Sequence, residues 1–328
     1  MDEMLLEINH LKSYFFTRKG VSPAVDDVSI RVPKGKIVGI VGESGCGKSM
    51  TAKSIMDLLK YPGRVVDGEI LLEGRDLAKL SAREKRKVRG EDVSMIFQEP
   101  MTSLNPVVKV GKQVREAILI HQKISKEEAK KRVLEVFQQV GISEPEKRYE
   151  CYPHELSGGL RQRVMIAMAM VCRPKLMIAD EPTTALDVTI EAQILKLIKQ
   201  LCDTTGMSCL LISHNLGVIA QMCDYVYVMY AGKIVEQGDV FTLFDHPTHP
   251  YTKGLLASII HLDQLTDRLS TIPGVVPNLM HLPAGCAFCG RCSEAKEVCK
   301  TKKPELYDLG GGHAVRCFLT GEGKVSNE

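Results

Sequence analysis

The segment Gly42-Glu43-Ser44-Gly45-Cys46-Gly47-Lys48-Ser49 constrains the fold of this chain more than any other stretch. It fits the pattern G-x-x-x-x-G-K-[ST] and follows the short apolar run Lys36-Ile37-Val38-Gly39-Ile40-Val41. A helical stretch from Lys48 to Lys60 comes next, with Ile55, Leu58 and Leu59 on its apolar side. A buried strand that turns through glycines into a helix makes a phosphate cradle. Backbone N–H groups curl around phosphate oxygens, and the helix N-terminus favours negative charge. In that reading Lys48 neutralises the β- and γ-phosphates and the Ser49 hydroxyl binds Mg²⁺. A ligand-free Gly-rich turn is the alternative, and the strand before and helix after argue against it.

Strands and helices go on alternating downstream. Leu176-Met177-Ile178-Ala179 and Cys209-Leu210-Leu211-Ile212 read as buried strands, and Ile190, Ile194, Leu197, Ile198 and Leu201 stripe a helix between them. This predicts an α/β chain with a largely parallel sheet covered by helices. Between about 100 and 155 the pattern is helical. Ser125 and Glu128 form a capping-box sequence, followed by a core stripe of Ala129, Val133, Val136, Phe137 and Val140. Tyr225 to Tyr230, Ala231-Gly232 and Lys233 to Glu236 read as a closing hairpin. From about 240 the chain is richer in Pro, His, Gly and Cys and reads as a small separate module.

Two further motifs carry charge chemistry. The run Leu176 to Ala179 ends in Asp180 and Glu181: Asp180 suits the water shell of Mg²⁺, and Glu181 suits polarisation of an attacking water. In Leu156-Ser157-Gly158-Gly159-Leu160-Arg161-Gln162-Arg163, Ser157 caps a helix whose next two residues are glycines. That exposes backbone N–H groups at a positive helix end and makes a second anion site.

Composition narrows the remaining classes. Of 328 residues 44% are hydrophobic and 25% charged, ordinary globular values that exclude long disorder. Lys plus Arg is 43 against 40 for Asp plus Glu, which argues against nucleic acid as a partner. No run approaches the ~18 apolar residues of a spanning helix, and MDEMLLEINH lacks the features of a signal peptide. The expectation is a cytosolic chain that another protein brings to any membrane it serves.

With these motifs in order, residues 5 to about 240 resemble the ATP-binding subunits of ABC transporters, whose LSGGQ-like signature appears here with Leu160 in place of the usual Gln. The resemblance implies an ABC-type P-loop NTPase core with a RecA-like, mostly parallel sheet and an antiparallel β region. Residues 1–95 and 156–240 would form that core, 96–155 a helical subdomain, and 241–328 a Cys-rich C-terminal module. ATP would be held by Gly42, Ser44, Gly45, Cys46, Gly47, Lys48, Ser49 and Met50, with Phe15 stacked on adenine. Gln98 matches the Q-loop glutamine that joins Ser49 and Asp180 at Mg²⁺. Glu181, His214, Gln98 and Lys48 would be catalytic; His214 matches the switch histidine, although Asn215 replaces the Asp that usually follows it. Ala185-Leu186-Asp187 matches the D-loop. The family mechanism implies that Ser157, Gly158, Gly159 and Gln162 of one subunit cover the ATP held by another. Closure needs the γ-phosphate, and hydrolysis reopens the pair.

Several segments resemble the dipeptide/oligopeptide importer ATPases more narrowly: Phe97 to Pro106, Tyr152-Pro153-His154-Glu155-Leu156, His249-Pro250-Tyr251-Thr252, and Ile272 to Pro277 leading to Gly285-Cys286. Met50 and Met101-Thr102 resemble the D-type subunit. Its implied partners are an F-type ATPase subunit, or a second copy of itself in isolation, and two integral membrane permease subunits. An extracytoplasmic peptide-binding protein acts indirectly. The implied location is peripheral, on the cytoplasmic face of the membrane. Nickel importers share much of the pattern and stay as an alternative. His246 and His249 are better read as parts of a turn than as metal ligands.

Five of the eleven cysteines fall late: Cys286, Cys289, Cys292, Cys299 and Cys317. In a reducing compartment such a cluster reads as a metal site. Cys286-x-x-Cys289-x-x-Cys292 matches ferredoxin spacing. The family pattern instead implies Cys286, Cys292, Cys299 and Cys317 as ligands of a structural [4Fe–4S] cluster, with Zn²⁺ as the alternative. An iron–sulfur redox or sensing protein with a secondary ATPase is the rival from another class.

Overall fold

The computed structural model describes residues 3–98, 103–184, 186–258 and 272–321. Glu99, Pro100, Met101, Thr102 and Ala185, which the sequence reading used, lie outside the described residues. The chain divides into two compact units. The first holds Met1–Leu5, Val32–Lys36 and Lys79–Leu211; the second holds Leu6–Arg31, Ile37–Ala78 and Ile212–Glu328.

In the first unit the strands Val93–Ile96 and Leu176–Asp180 pair in parallel, with Ile96 opposite Ala179. Strand Ser208–Ser213 lies beside Leu176–Asp180. Every residue of these last two strands is buried, as expected of parallel strands covered on both faces. Helices Val110–His121, Lys126–Gln139, Pro145–Tyr149, Gly158–Met170 and Val188–Thr205 complete the unit. The stripe Ala129, Val133, Val136, Phe137 and Val140 is buried throughout. Ser125 accepts the Glu128 N–H at 3.0 Å, while the reciprocal capping box is made by Ser81 and Glu84 at the head of helix Ala82–Glu91. Gly111 is a packing requirement, because a Cβ there would stand 2.2 Å from the buried ring of Tyr149.

The second unit has an antiparallel sheet in the order Gly20–Pro33, Met4–Thr17, Gly63–Leu72, Arg75–Asp76. It also holds the parallel pair Ile37–Val41 and Tyr225–Tyr230, and the hairpin that joins the latter to Lys233–Asp239. Two strands from the tail continue this sheet: His313–Val315 pairs antiparallel with Lys233–Asp239, and Tyr307–Gly310 pairs antiparallel with His313–Val315. Behind the glycine loop, helix Lys48–Ile55 stops short of the expected Lys60. Asp57 takes a left-handed conformation (φ 51°), and its N–H and that of Leu58 return to the carbonyls of Ser54 and Lys53. That pair of bonds is a Schellman ending, which closes the last carbonyls before the apolar pattern runs out.

The tail is pinned by the fully buried carboxylate of Glu236. It accepts the N–H groups of Thr248 and His249 at 2.7 and 3.0 Å and lies 2.9 Å from His313 Nε2. His249 is structural, as its turn setting suggested: its Nδ1 accepts the Tyr251 N–H at 3.0 Å and caps helix Pro250–Ala257. Among the described residues no helix is long and apolar enough to cross a membrane.

Candidate nucleotide site

The glycine loop leaves the C-terminal end of strand Ile37–Val41, whose parallel partner brings Met229 and Tyr230 alongside. Two glycines are required there by close backbone approach. A Cβ on Gly42 would stand 2.2 Å from the Met229 carbonyl oxygen, and one on Gly47, at φ 112°, 2.3 Å from that of Ala24. Gly232 N–H donates to the Cys46 carbonyl at 2.8 Å and fixes the far side of the loop. Ser44 and Gly45 stand exposed at the apex, while Cys46 is buried, so its thiol, pushed up by burial, faces inward. Only the Cys46 backbone is on the ligand side.

Lys48 is buried, and its Nζ donates to the carbonyls of Gly42 at 2.8 Å and Glu43 at 3.1 Å, inside the curve of the loop. Helix Lys48–Ile55 has Gly47 at its N-cap, with no side-chain cap and no acidic residue in its first turn. This donor set fits a multiply charged anion: backbone N–H groups at a positive helix end, a lysine in the loop, and open space at Gly45. Ser49 and Met50 begin the helix and are half-buried.

Strand Met4–Thr17 is tied to this helix by the buried pair Ser13 Oγ and Ser54 Oγ, 2.8 Å apart. Of the three neighbouring aromatics, Tyr14 spends its hydroxyl on Asp26 at 2.7 Å. Phe15 lies over Gly63, its register partner, where a Cβ would stand 2.5 Å from the ring; Phe16 is more exposed and lies beneath the Arg64 guanidinium at 4.4 Å. His214 is exposed, and Asn215 after it caps helix Leu216–Met222 by accepting the Gly217 N–H at 2.9 Å. An aspartate would cap equally well, so the departure at Asn215 is conservative at this position.

In the first unit, parallel pairing brings the ends of Val93–Ile96 and Leu176–Asp180 to one edge, and with them Gln98 and Glu181. Gln98 Nε2 donates to Glu181 Oε2 at 3.1 Å, and Thr184 Oγ1 donates to the same oxygen at 3.1 Å. Asp180 is buried, whereas Glu181 is half-buried with a left-handed backbone at φ 46°. A bulky residue held there stores about 1 kcal/mol or more, a signal that no sequence pattern carries.

Ser157 caps helix Gly158–Met170, its Oγ accepting the Leu160 N–H at 3.4 Å, and both Ser157 and Gly158 are exposed. Gln162 does not share that face. It is buried and donates to the Pro182 carbonyl, so it supports the turn after Glu181. Asp187 caps helix Val188–Thr205 by accepting the Ile190 N–H at 3.0 Å.

The metal expectation on Cys286, Cys292, Cys299 and Cys317 requires correction. All five late cysteines are free thiols, lining an apolar cavity with Phe288, Pro304 and Phe318. Burial pushes the Cys286 thiol up to about 11 and raises Cys292 and Cys317 as well. Among the described residues no group of three or more His, Cys, Asp or Glu side chains is placed to hold a metal ion. The ligand set expected for a [4Fe–4S] cluster or Zn²⁺ is therefore not assembled among the described residues.

Comparison with known proteins agrees with the nucleotide geometry. The ABC transporter family matches residues 25–184, and the oligopeptide/dipeptide transporter C-terminal region matches 235–299. The oligopeptide transport ATP-binding protein AppD of Bacillus subtilis (strain 168) is 52% identical over 316 residues, covering 96% of each chain. The dipeptide transport ATP-binding protein DppD of the same organism is 50% identical over 97% of this chain and 95% of its own. The dimeric, post-hydrolysis ATP-binding cassette MJ0796, bound to ADP and Pi, superposes with a TM-score of 0.64 at 25% identity, covering 72% of this chain and 98% of that one. The relatives are named for peptide transport and not for iron–sulfur chemistry, which also overturns the iron–sulfur reading. The chain therefore has the ABC ATPase cassette fold and belongs to the family of ATP-binding proteins of oligopeptide and dipeptide ABC transporters.

Proposed function

We propose that this chain is the ATP-hydrolysing subunit of a peptide importer, working at the cytoplasmic face of the membrane against two permease subunits. The observation that carries the reading is the phosphate loop before helix Lys48–Ile55, whose N-cap is Gly47 and whose first turn holds no acidic residue. Lys48 holds the terminal phosphates, with the loop N–H groups from Ser44 to Ser49 around them. Ser49, Asp180 and Gln98 hold Mg²⁺, which when bound neutralises charge building on the phosphates. Glu181 orients the attacking water and takes its proton, and Gln98, its hydrogen-bond partner, sets the direction of that carboxylate. His214 contacts the γ-phosphate, Phe15 stacks on adenine, and Asp187 lies at the subunit contact.

Ser157, Gly158 and Gly159 cover the ATP of a second ATPase subunit, an F-type partner or another copy of this chain. Residues 1–95 with 156–240, then 96–155, then 241–328 form the core, the coupling subdomain and the C-terminal region. The naming of the relatives for peptides favours this cargo over nickel. The test is Glu181→Gln, measured by ATP binding and by phosphate release. Binding stays within about threefold of wild type while release falls at least about 100-fold, the scale for loss of a general base. Undiminished release removes Glu181 from its role.

A further inference from the structure

Glu43 occupies a free position of the phosphate-loop pattern, yet each of its polar groups is engaged. Its carbonyl accepts from Lys48 Nζ. Its N–H donates to the Tyr251 hydroxyl at 2.8 Å, turning that N–H away from the cradle. Its carboxylate meets the Arg291 guanidinium in a two-point pair, Nη1 to Oε2 at 2.6 Å and Nη2 to Oε1 at 2.9 Å. Tyr251 and Arg291 come from the C-terminal region, and Arg291 stands 248 residues from Glu43.

Arg291 is itself held in place. Its side chain is only 7% exposed, and its Nε donates to the Pro273 carbonyl at 2.8 Å. The guanidinium lies 5.9 Å from the ring centres of both Tyr230 and Phe288. Tyr230, Tyr251 and Phe288 form a buried aromatic cluster with centroids 4.7 to 5.4 Å apart. A fixed, planar fork of this kind matches a carboxylate in a way a lysine would not. Glu43 adjoins Ser44 at the loop apex, so an uncompensated carboxylate there would repel a polyphosphate.

We propose that Arg291 and Tyr251 are positioning residues of the phosphate loop, and that Arg291 sets nucleotide affinity by cancelling the charge of Glu43. The inference rests on the reading of Gly42 to Ser49 as the ATP site. It makes the C-terminal region part of the nucleotide site rather than an appendage, and it requires no metal.

The test is titration of the full chain with Mg·ATP and Mg·ADP for wild type, Arg291→Ala, Glu43→Gln and the double variant, with a thermal melt of each. Arg291→Ala weakens ATP binding on the order of tenfold and ADP binding less, because ADP carries less charge. Glu43→Gln stays within about threefold of wild type. The double variant returns to that range, since the unpaired charge is gone. Turnover at saturating ATP changes less than about twofold in Arg291→Ala, so the effect falls on KM. Arg291→Lys, which keeps the charge without the fork and adds a second route if Arg291→Ala folds poorly, lies between wild type and Arg291→Ala. Unchanged affinity in Arg291→Ala, or a double variant as weak as the single, overturns the inference alone. Failure of the wild type to bind ATP overturns the phosphate-loop reading and the inference with it.

Discussion

His249 makes the tail of this protein sensitive to acid, and the size of the effect follows from its burial. The ring is 2% exposed, sits 5.7 Å from Phe288 and uses Nδ1 to accept the Tyr251 N–H. Burial, with a smaller push from the charge of Lys253, lowers its pKa to about 3, against ~6.5 for a free imidazole. Between those values the unfolded chain binds a proton that the folded chain refuses. Stability is therefore fully present above about pH 6.5 and falls as pH drops, by up to ~1.4 kcal/mol per pH unit. From pH 8 to pH 5 this one group removes about 2 kcal/mol. His249→Asn keeps an acceptor for the Tyr251 N–H and has nothing to protonate. The chain lacks tryptophan, so denaturant unfolding can be followed by the fluorescence of its nine tyrosines. Between pH 8 and pH 5 the wild type should lose about 2 kcal/mol more than His249→Asn, the other titrating groups being common to both. Equal losses would refute the assignment of a neutral, buried imidazole.

Two glycine substitutions separate fold from function. Gly47→Ala places a methyl 2.3 Å from the Ala24 carbonyl at a left-handed φ of 112°; it should cost about 1–3 kcal/mol in a thermal melt and abolish ATP binding. Gly158→Ala meets nothing closer than Leu186 Cδ2 at 3.6 Å and replaces glycine in the first turn of a helix. Its melting point should hold or rise, by up to ~1 kcal/mol in stability, while ATP turnover falls if, as proposed, that exposed helix end covers a second subunit's nucleotide. Unchanged turnover in Gly158→Ala would contradict the covering role.

Much of the cassette was readable because its signals are local. The run Ile37–Val41, the glycine loop and the hairpin from Tyr225 follow from apolar runs and turn residues in sequence. Helix Lys48–Ile55 ends before its apolar rhythm does, because Leu58 and Leu59 continue that rhythm past a left-handed ending at Asp57. The motif groups Gln162 with Ser157, yet the turn of the helix carries it to the buried side. The family pattern groups Cys286, Cys292, Cys299 and Cys317 as ligands, yet among the described residues the folded tail assembles no metal-holding group from them. The Arg291–Glu43 pair left no pattern in sequence; only the folded tail brings them together.

The most direct measurement of the central claim is uptake of a labelled dipeptide by cells that carry the remaining transporter subunits and one version of this chain. Wild type should restore uptake, while Lys48→Ala and Glu181→Gln, expressed at the same level, should leave it at background. Uptake by either variant at wild-type rate would contradict ATP hydrolysis at Lys48 and Glu181 as its driving force.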